Sequence, residues 1–229
     1  MDPAGSNTTE ARMDIPARKS KKPRPPSKAK QRLENTAYDL FSAKGVNSVG
    51  IDELVTRSGV ARMTLYRNYK SKDDLILAFL DLHEKRWTVE WLAKEVERRT
   101  TNPTKRLIMI FALLDEWFHE SGFRGCALIN TLIESEFGGP GHRAAGQKLR
   151  NIRLLVEGWA RDANLVGARD FAKMWKLLMR GSIIAAHEGD LNSGVNAKRA
   201  ATITLSNWPR QQPRRKKAAI SRISQARRP

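Results

Sequence analysis

Cysteine, acid and long apolar runs are all scarce in this sequence. Cys126 is the one cysteine in 229 residues, which excludes an internal disulfide and a cysteine-built zinc site. The longest apolar runs, residues 75–80 and 107–114, fall far short of the roughly eighteen residues that cross a bilayer. The N-terminal segment is polar and proline-rich with no hydrophobic stretch, so neither a secretory signal nor a membrane partner is expected. A cytoplasmic protein is the reading that results. The four histidines, His83, His119, His142 and His187, are dispersed and lack a metal-ligand spacing. No metal and no cofactor is expected. No segment alternates apolar and polar residues between turn signals, which argues against a sheet.

Basic charge is abundant. Lys plus Arg number 42 against 24 Asp plus Glu, a formal net charge of +18, and an excess of that size favours a polyanionic partner. Most of it sits at the two ends. Residues 1–32 hold nine basic and three acidic side chains, and residues 208–229 hold eight basic and none acidic. Residues 1–29 and 208–229 carry few large apolar groups, so neither segment offsets its ordering entropy. Both are expected to be disordered, one as a basic arm and the other as a basic tail.

Between them the pattern is helical throughout. Leu33, Ala37, Leu40 and Phe41 share one face of a first helix closed by Gly45. Short helices at residues 51–57 and 61–68 flank the turn Ser58-Gly59-Val60. A long helix at residues 73–98 opens on Asp73 and Asp74, which suit its positive N-terminal end. Further apolar stripes run through Leu107, Ile110, Phe111, Leu114, Trp117 and Phe118. Another joins Leu149, Ile152, Val156 and Trp159, and a third Phe171, Met174, Trp175 and Leu178. The expected architecture is all-α. A three-helix domain at residues 30–76 is joined by the long helix to a helical bundle at residues 77–207.

The short pair has the outline of a helix-turn-helix, with Gly59 at a position suited to positive φ. Ile51, Leu54, Val60 and Leu65 can pack the pair together. That leaves Arg62, Met63, Thr64, Arg67 and Asn68 on the outer face of the second helix. An α-helix fits the DNA major groove, where Arg reads guanine, Asn reads adenine, and Thr bonds or touches a thymine methyl. Lys72 is placed to meet a phosphate, and a mobile basic arm upstream can lie along the duplex. A glycine turn between short helices also occurs in proteins that never touch DNA.

The run Gly45-Val46-Asn47-Ser48-Val49-Gly50-Ile51-Asp52-Glu53-Leu54-Val55 is followed by Ser58-Gly59-Val60-Ala61-Arg62-Met63-Thr64-Leu65-Tyr66. Tyr69-Lys70-Ser71-Lys72-Asp73-Asp74-Leu75 completes the pattern. Together they resemble the N-terminal domain of TetR-family transcriptional regulators, tightly over about residues 30–78. A weaker likeness runs through Gly122-Phe123-Arg124-Gly125-Cys126-Ala127-Leu128-Ile129-Asn130 and fades after about residue 205. The resemblance implies a dimeric, effector-responsive DNA-binding protein, usually a repressor acting at a palindromic operator. Carried over by position, it implies that Arg62, Met63 and Thr64 face bases. Tyr66, Asn68 and Lys72 then hold phosphates, with Val49 and Gly50 near the DNA backbone. Gly50 and Ala61 stand where the family commonly has a hydroxyl residue, so two hydroxyl contacts to caps or phosphates are missing. Met63 replaces a residue that is often small.

The resemblance also implies that the bundle encloses an effector and forms the dimer. Phe111, Phe118, Cys126, Trp159 and Met174 are the wall residues chosen for an effector pocket, although a packed core has the same composition. Trp175, Leu178, Ala185, Ala200 and Ala201, on the last two helices, are the expected interface of a homodimer. His119 and Cys126 are the one nucleophile-and-base pair worth weighing. No third orienting residue accompanies them, and no enzyme is expected. A sequence-tolerant DNA-coating protein driven by the basic ends, and a small-molecule enzyme or carrier using the aromatic bundle, are the rival readings.

Overall fold

The computed structural model of the chain describes residues 27–211. Helix α1 (Lys28–Lys44) starts two residues before the expected point, because Ser27 caps it by accepting the Lys30 N–H at 3.2 Å. Residues 27–29 thus belong to the folded body, and the remainder of the expected basic arm lies outside the described residues. Leu33, Ala37, Leu40 and Phe41 are the buried face of α1. They receive α2 (Ile51–Ser58) through Leu54 and α3 (Arg62–Asn68) through Leu65. Val46, Val49, Val60 and Tyr69 complete this small core.

Ser71 begins the next helix, α4 (Lys72–His83), by accepting the Asp74 N–H at 3.1 Å, while the Asp74 carboxylate accepts from the Lys70 N–H at 3.0 Å. This reciprocal cap fixes where the head ends. The expected single long helix is one rod with a wider middle. It passes from α4 into a π-helical stretch at Glu84–Ala93 and then into α5 (Lys94–Arg99). Such π segments are rare and often sit at functional places. Here the stretch carries Trp87 and Trp91, which meet Trp117 of the next helix at ring-centroid distances of 5.3 and 6.3 Å.

The bundle consists of α6 (Pro103–Phe118), α7 (Ala127–Glu134), α8 (Pro140–Asp162), α9 (Ala168–His187) and α10 (Ser193–Asn207). Asn102 caps α6 through the Lys105 N–H at 3.0 Å, with Pro103 in the first turn where its missing N–H costs nothing. Trp175, Phe111 and Phe171 are fully buried at its centre. Trp175 stacks on Phe171 at 4.6 Å and meets the edge of Phe111 at 5.2 Å. Each such side chain contributes on the order of 1.5–3 kcal/mol through burial. Across one side of the bundle α8 packs between α7 and α9. Lys148 of α8 binds Asp81 and Glu84 of the rod at 2.6 Å each.

No strand occurs among the described residues. An isolated antiparallel bridge joins Leu165 and Arg210, and it belongs to a clasp that carries the folded region to residue 211. The Trp208 indole N–H donates to the Val166 carbonyl at 2.8 Å and its ring meets the edge of Phe171. The Gln211 N–H donates to the Asn164 carbonyl at 2.8 Å. Residues 208–211, expected in the disordered tail, therefore close over the α8–α9 turn. The rest of that tail lies outside the described residues.

Candidate nucleic-acid interface

Two short helices meet at Gly59, which adopts φ +62° and donates its N–H to the Val55 carbonyl at 3.1 Å. The Ser58 hydroxyl accepts the Val60 N–H at 3.3 Å and steadies the turn. Helix α3 then buries Leu65 alone. Arg62, Met63, Arg67 and Asn68 are exposed, Met63 by 80%, and Tyr66 is 44% exposed. Thr64 is half-buried beside them. Met63 stands at the centre of an otherwise polar face.

Several expected contact residues therefore share one surface, and the structure adds detail to each. Arg62 forms an ion pair with Asp52 in the first turn of α2. Asp52 escaped the sequence reading because an acid at a helix N-terminus already has a reason to be there. The Asn68 amide donates to the Thr64 carbonyl at 2.7 Å. Gly50 and Ala61 are exposed and cap α2 and α3 without any side-chain bond, in line with the missing hydroxyls. Lys72 is half-buried at the start of α4. Val49 differs: its side chain is wholly buried in the head, so only its backbone borders the surface.

The head is joined to the bundle by a contact with no sequence signature. Asn47, in the α1–α2 loop, donates its N–H to the Glu134 carboxylate at 2.9 Å and its amide to the Glu134 carbonyl at 2.7 Å. The chain reaches this place through Gly45 at φ +82° and ψ 162°. A β-carbon at residue 45 would lie 2.3 Å from a Glu134 carboxylate oxygen. A concavity of about 330 Å³ opens beside the joint, lined by Ser42, Lys44, Arg124, Asn130 and His187 among others.

The expected effector walls lie in the core. Phe111, Phe118, Cys126 and Trp159 are buried and Met174 is half-buried. None of them lines the concavity beside Glu134, the groove between α8 and α9 or the depression between α9 and α10. Burial pushes the Cys126 thiol above its ordinary range. His119, at the exposed end of α6, holds the Asp115 carbonyl through Nδ1 at 2.8 Å. The expected dimer residues divide into two groups. Trp175 and Ala201 are wholly buried inside the subunit, because Trp175 belongs to the inward stripe of α9 with Phe171 and Met179, and Ala201 to that of α10 with Ala197 and Leu205. Leu178, Ala185 and Ala200 instead line a shallow surface depression between α9 and α10. Around it stand Leu177, 67% exposed, and the exposed Ile184, Val195 and Ile203, which the sequence reading missed.

A head with this turn and this exposed second helix, set by a rod on a helical bundle, has the helix-turn-helix architecture. Residues 35–79 match the model for bacterial regulatory proteins of the tetR family. The chain is similar to the transcriptional regulator QacR of Staphylococcus aureus, with 26% identity over 90 residues that span 39% of this chain and 48% of QacR. It is 34% identical over 93 residues to the transcriptional activator FasR of Mycolicibacterium smegmatis, across 38% of this chain and 40% of FasR. The matches thus span about half the length of these relatives or less. Over the whole fold it is similar to SCO4454, a TetR-family transcriptional regulator from Streptomyces coelicolor, with TM-score 0.69 and 26% identity. That match covers 78% of this chain and 94% of SCO4454. The reduced form of Escherichia coli NemR shares the fold at 17% identity and TM-score 0.68, across 77% of this chain and 96% of NemR. The head at residues 35–79 is thus that of tetR-family regulatory proteins, and the fold as a whole is similar to that of solved TetR-family regulators. No described helix is long and apolar enough to cross a membrane.

Proposed function

We propose that the chain is a homodimeric, sequence-reading DNA-binding repressor that a small-molecule effector releases from a palindromic operator. The observation that carries this reading is the outer face of α3, where Arg62, Met63, Tyr66, Arg67 and Asn68 are exposed around one buried anchor, Leu65. In the docked complex Arg62, Met63 and Thr64 meet base edges. Tyr66, Asn68 and Lys72 hold phosphates, and the uncapped starts of α2 and α3 at Gly50 and Ala61 lie close to the backbone. Arg67 supports the same face.

The dimer forms through the depression between α9 and α10. Gly181, Ala185 and Ala200 there permit close approach, while Leu177, Ile184 and Ile203 supply apolar cover. Two-fold symmetry then sets the two reading helices about one DNA turn, roughly 34 Å, apart. An effector entering among Phe111, Phe118, Cys126, Trp159 and Met174 displaces packed side chains and moves α6, which bears on the rod. To change operator occupancy a hundredfold it must favour the DNA-incompetent state by about 2.7 kcal/mol. The protein acts on nucleoid DNA in the cytoplasm and performs no catalysis.

The test is selection of bound sites from random duplex DNA at physiological salt, with the full chain and with a form lacking residues 1–26 and 212–229. Recovery of one palindrome by both forms supports the reading. An absence of any enriched sequence, with binding lost on removing the ends, sinks it in favour of sequence-tolerant coating. Arg62→Ala should cost about 1–3 kcal/mol on the operator, whereas Lys72→Ala should weaken all sequences alike and flatten the salt dependence. A reporter carrying the selected site decides the sign, since FasR is named an activator.

A further inference from the structure

Six cations line one groove on the flank of the bundle. Arg150 and Arg153 come from α8, and Arg169, Lys173, Lys176 and Arg180 from α9. On α9 they recur at intervals of four, three and four residues, which places all four on one helical face. The groove encloses about 290 Å³ and no acidic residue lines it. Two of the six have partners nearby: Arg153 binds Glu157, and Lys173 binds Asp170 at 2.8 Å. Arg150, Arg169, Lys176 and Arg180 have no acidic partner within ion-pair distance among the described residues.

At the end of the groove nearer the head, the Arg180 Nε is buried and bonds to nothing. A buried charged donor without a partner is costly to fold, and a run of like charges across two packed helices adds repulsion. Burial first, and then the neighbouring Arg180 and Arg153, press the Lys176 ammonium below the usual lysine range. The Arg180 guanidinium is lowered too, chiefly by burial. Half-buried cations are a poor choice for a solvated face, where the charge gains most by standing in water.

We propose that this α8–α9 groove is a binding site for a small multiply charged phosphate anion, separate from both the reading face of α3 and the bundle core. Arginine presents a planar fork that matches phosphate oxygens in pairs, and lysine adds point charge. The volume suits two or three linked phosphoryl groups, near the lower limit of small-molecule sites. Duplex DNA is the competing occupant, but a duplex backbone passes over a groove of about 290 Å³ rather than entering it. The site also lies on the bundle flank, off the head that carries α3.

The test is calorimetric titration of the full chain at physiological ionic strength with inorganic tripolyphosphate and, separately, with adenosine diphosphate. Lys176→Gln, Arg180→Gln and the exposed Arg150→Gln are compared with the unaltered protein. All four carry the same basic ends and the same head, so the difference reads the groove alone. One saturable site per chain is expected, weakened about tenfold or more in Lys176→Gln and in Arg150→Gln. Arg150→Gln keeps the test decisive if Arg180→Gln does not fold, as circular dichroism will show. Tighter binding of adenosine diphosphate than of tripolyphosphate identifies a nucleotide as the natural class, and the reverse order identifies an inorganic polyphosphate. Unaltered affinity in Lys176→Gln and Arg150→Gln overturns the proposal, as does the absence of a saturable site. Loss of nonspecific duplex affinity in the same variants, without saturable tripolyphosphate binding, overturns it in favour of a second DNA contact.

Discussion

Replacing Gly45 by alanine tests the joint between head and bundle through a double-mutant cycle. Gly45 has φ +82° and ψ 162°, a region that costs a non-glycine residue on the order of 1–3 kcal/mol. The added β-carbon also displaces the Glu134 carboxylate, 2.3 Å away, and with it the bond from the Asn47 N–H. A hydrogen bond to a charged group contributes about 1.5–3 kcal/mol, and partial exposure puts this one near the lower end. Taking about 1.5 kcal/mol for each effect, Gly45→Ala should destabilise the fold by about 3 kcal/mol. Glu134→Ala alone loses only the bond, about 1.5 kcal/mol. In the double variant the β-carbon meets nothing and the bond is lost once, so the cost is about 3 kcal/mol rather than the sum of about 4.5. The assay is urea denaturation at a fixed protomer concentration, because the proposed dimer makes stability concentration-dependent. Additivity of the two changes within about 0.5 kcal/mol would refute the close approach of residues 45 and 134.

Four further outcomes are expected. Asp52→Ala removes an exposed partner of Arg62; stability should change by less than about 1 kcal/mol, while fluorescence anisotropy should show tighter operator binding as a negative charge leaves the reading face. His83 is buried with both ring nitrogens unbonded, and burial lowers its pKa to about 4. The unfolded chain then binds a proton that the folded chain does not between pH 6.5 and about 4. Stability should fall with acid there by up to about 1.4 kcal/mol per pH unit, and His83→Phe, which keeps the ring stack, should flatten that slope. Truncation after Asn207 removes the Trp208 clasp and should lower the melting temperature by about 2–8 °C, for a loss of about 1–2 kcal/mol. Truncation after Gln211 should leave it unchanged. Leu177→Glu places a charge on the exposed α9 face and should shift sedimentation from dimer to monomer at micromolar protein.

The head was legible from sequence because every device in it is local. Gly59 takes the left-handed turn its position demands, Ser71 caps the helix it precedes, and Leu65 anchors α3. The bundle was legible as helices but not as orientations. Helix α9 is apolar on two faces, inward at Phe171, Trp175 and Met179 and outward at Leu177 and Ile184, so periodicity alone offered no means of choosing between them. Trp175 was consequently assigned to the wrong side. Trp208 stands alone beside a basic stretch, and nothing local shows that it docks on Phe171. The Asn47–Glu134 joint spans 87 positions of chain, and the π-helical course of residues 84–93 has no pattern of its own. The stripe of Arg169, Lys173, Lys176 and Arg180 was visible in sequence, but its meaning depends on Arg150 and Arg153 facing it from α8.

Helix α1 packs on the rod and the loop after it bonds to α7, and these two attachments are of unequal strength. Near its middle Tyr38 stacks against His83 at 5.9 Å, and Arg86 lies 4.6 Å over the Tyr38 ring while bonding to Asn35. His83 continues onto Trp87 at 6.1 Å, then Trp117 at 5.3 Å, Phe123 at 4.9 Å and His187 at 6.4 Å. The column is half-buried from Tyr38 to Phe123, with His83 buried within it and His187 exposed at its end, and displacing an inner ring forfeits packing on both sides of it. At the far end of α1 the joint is the pair of hydrogen bonds between Asn47 and Glu134, exposed to water. The column ends at His187, which lines the same concavity as Glu134. Releasing those two bonds costs about 2–3 kcal/mol, close to the 2.7 kcal/mol that a hundredfold change in occupancy requires. On the proposed mechanism, then, the head pivots about the aromatic column and parts from the bundle at Glu134, because that is the contact an effector of ordinary affinity is able to break.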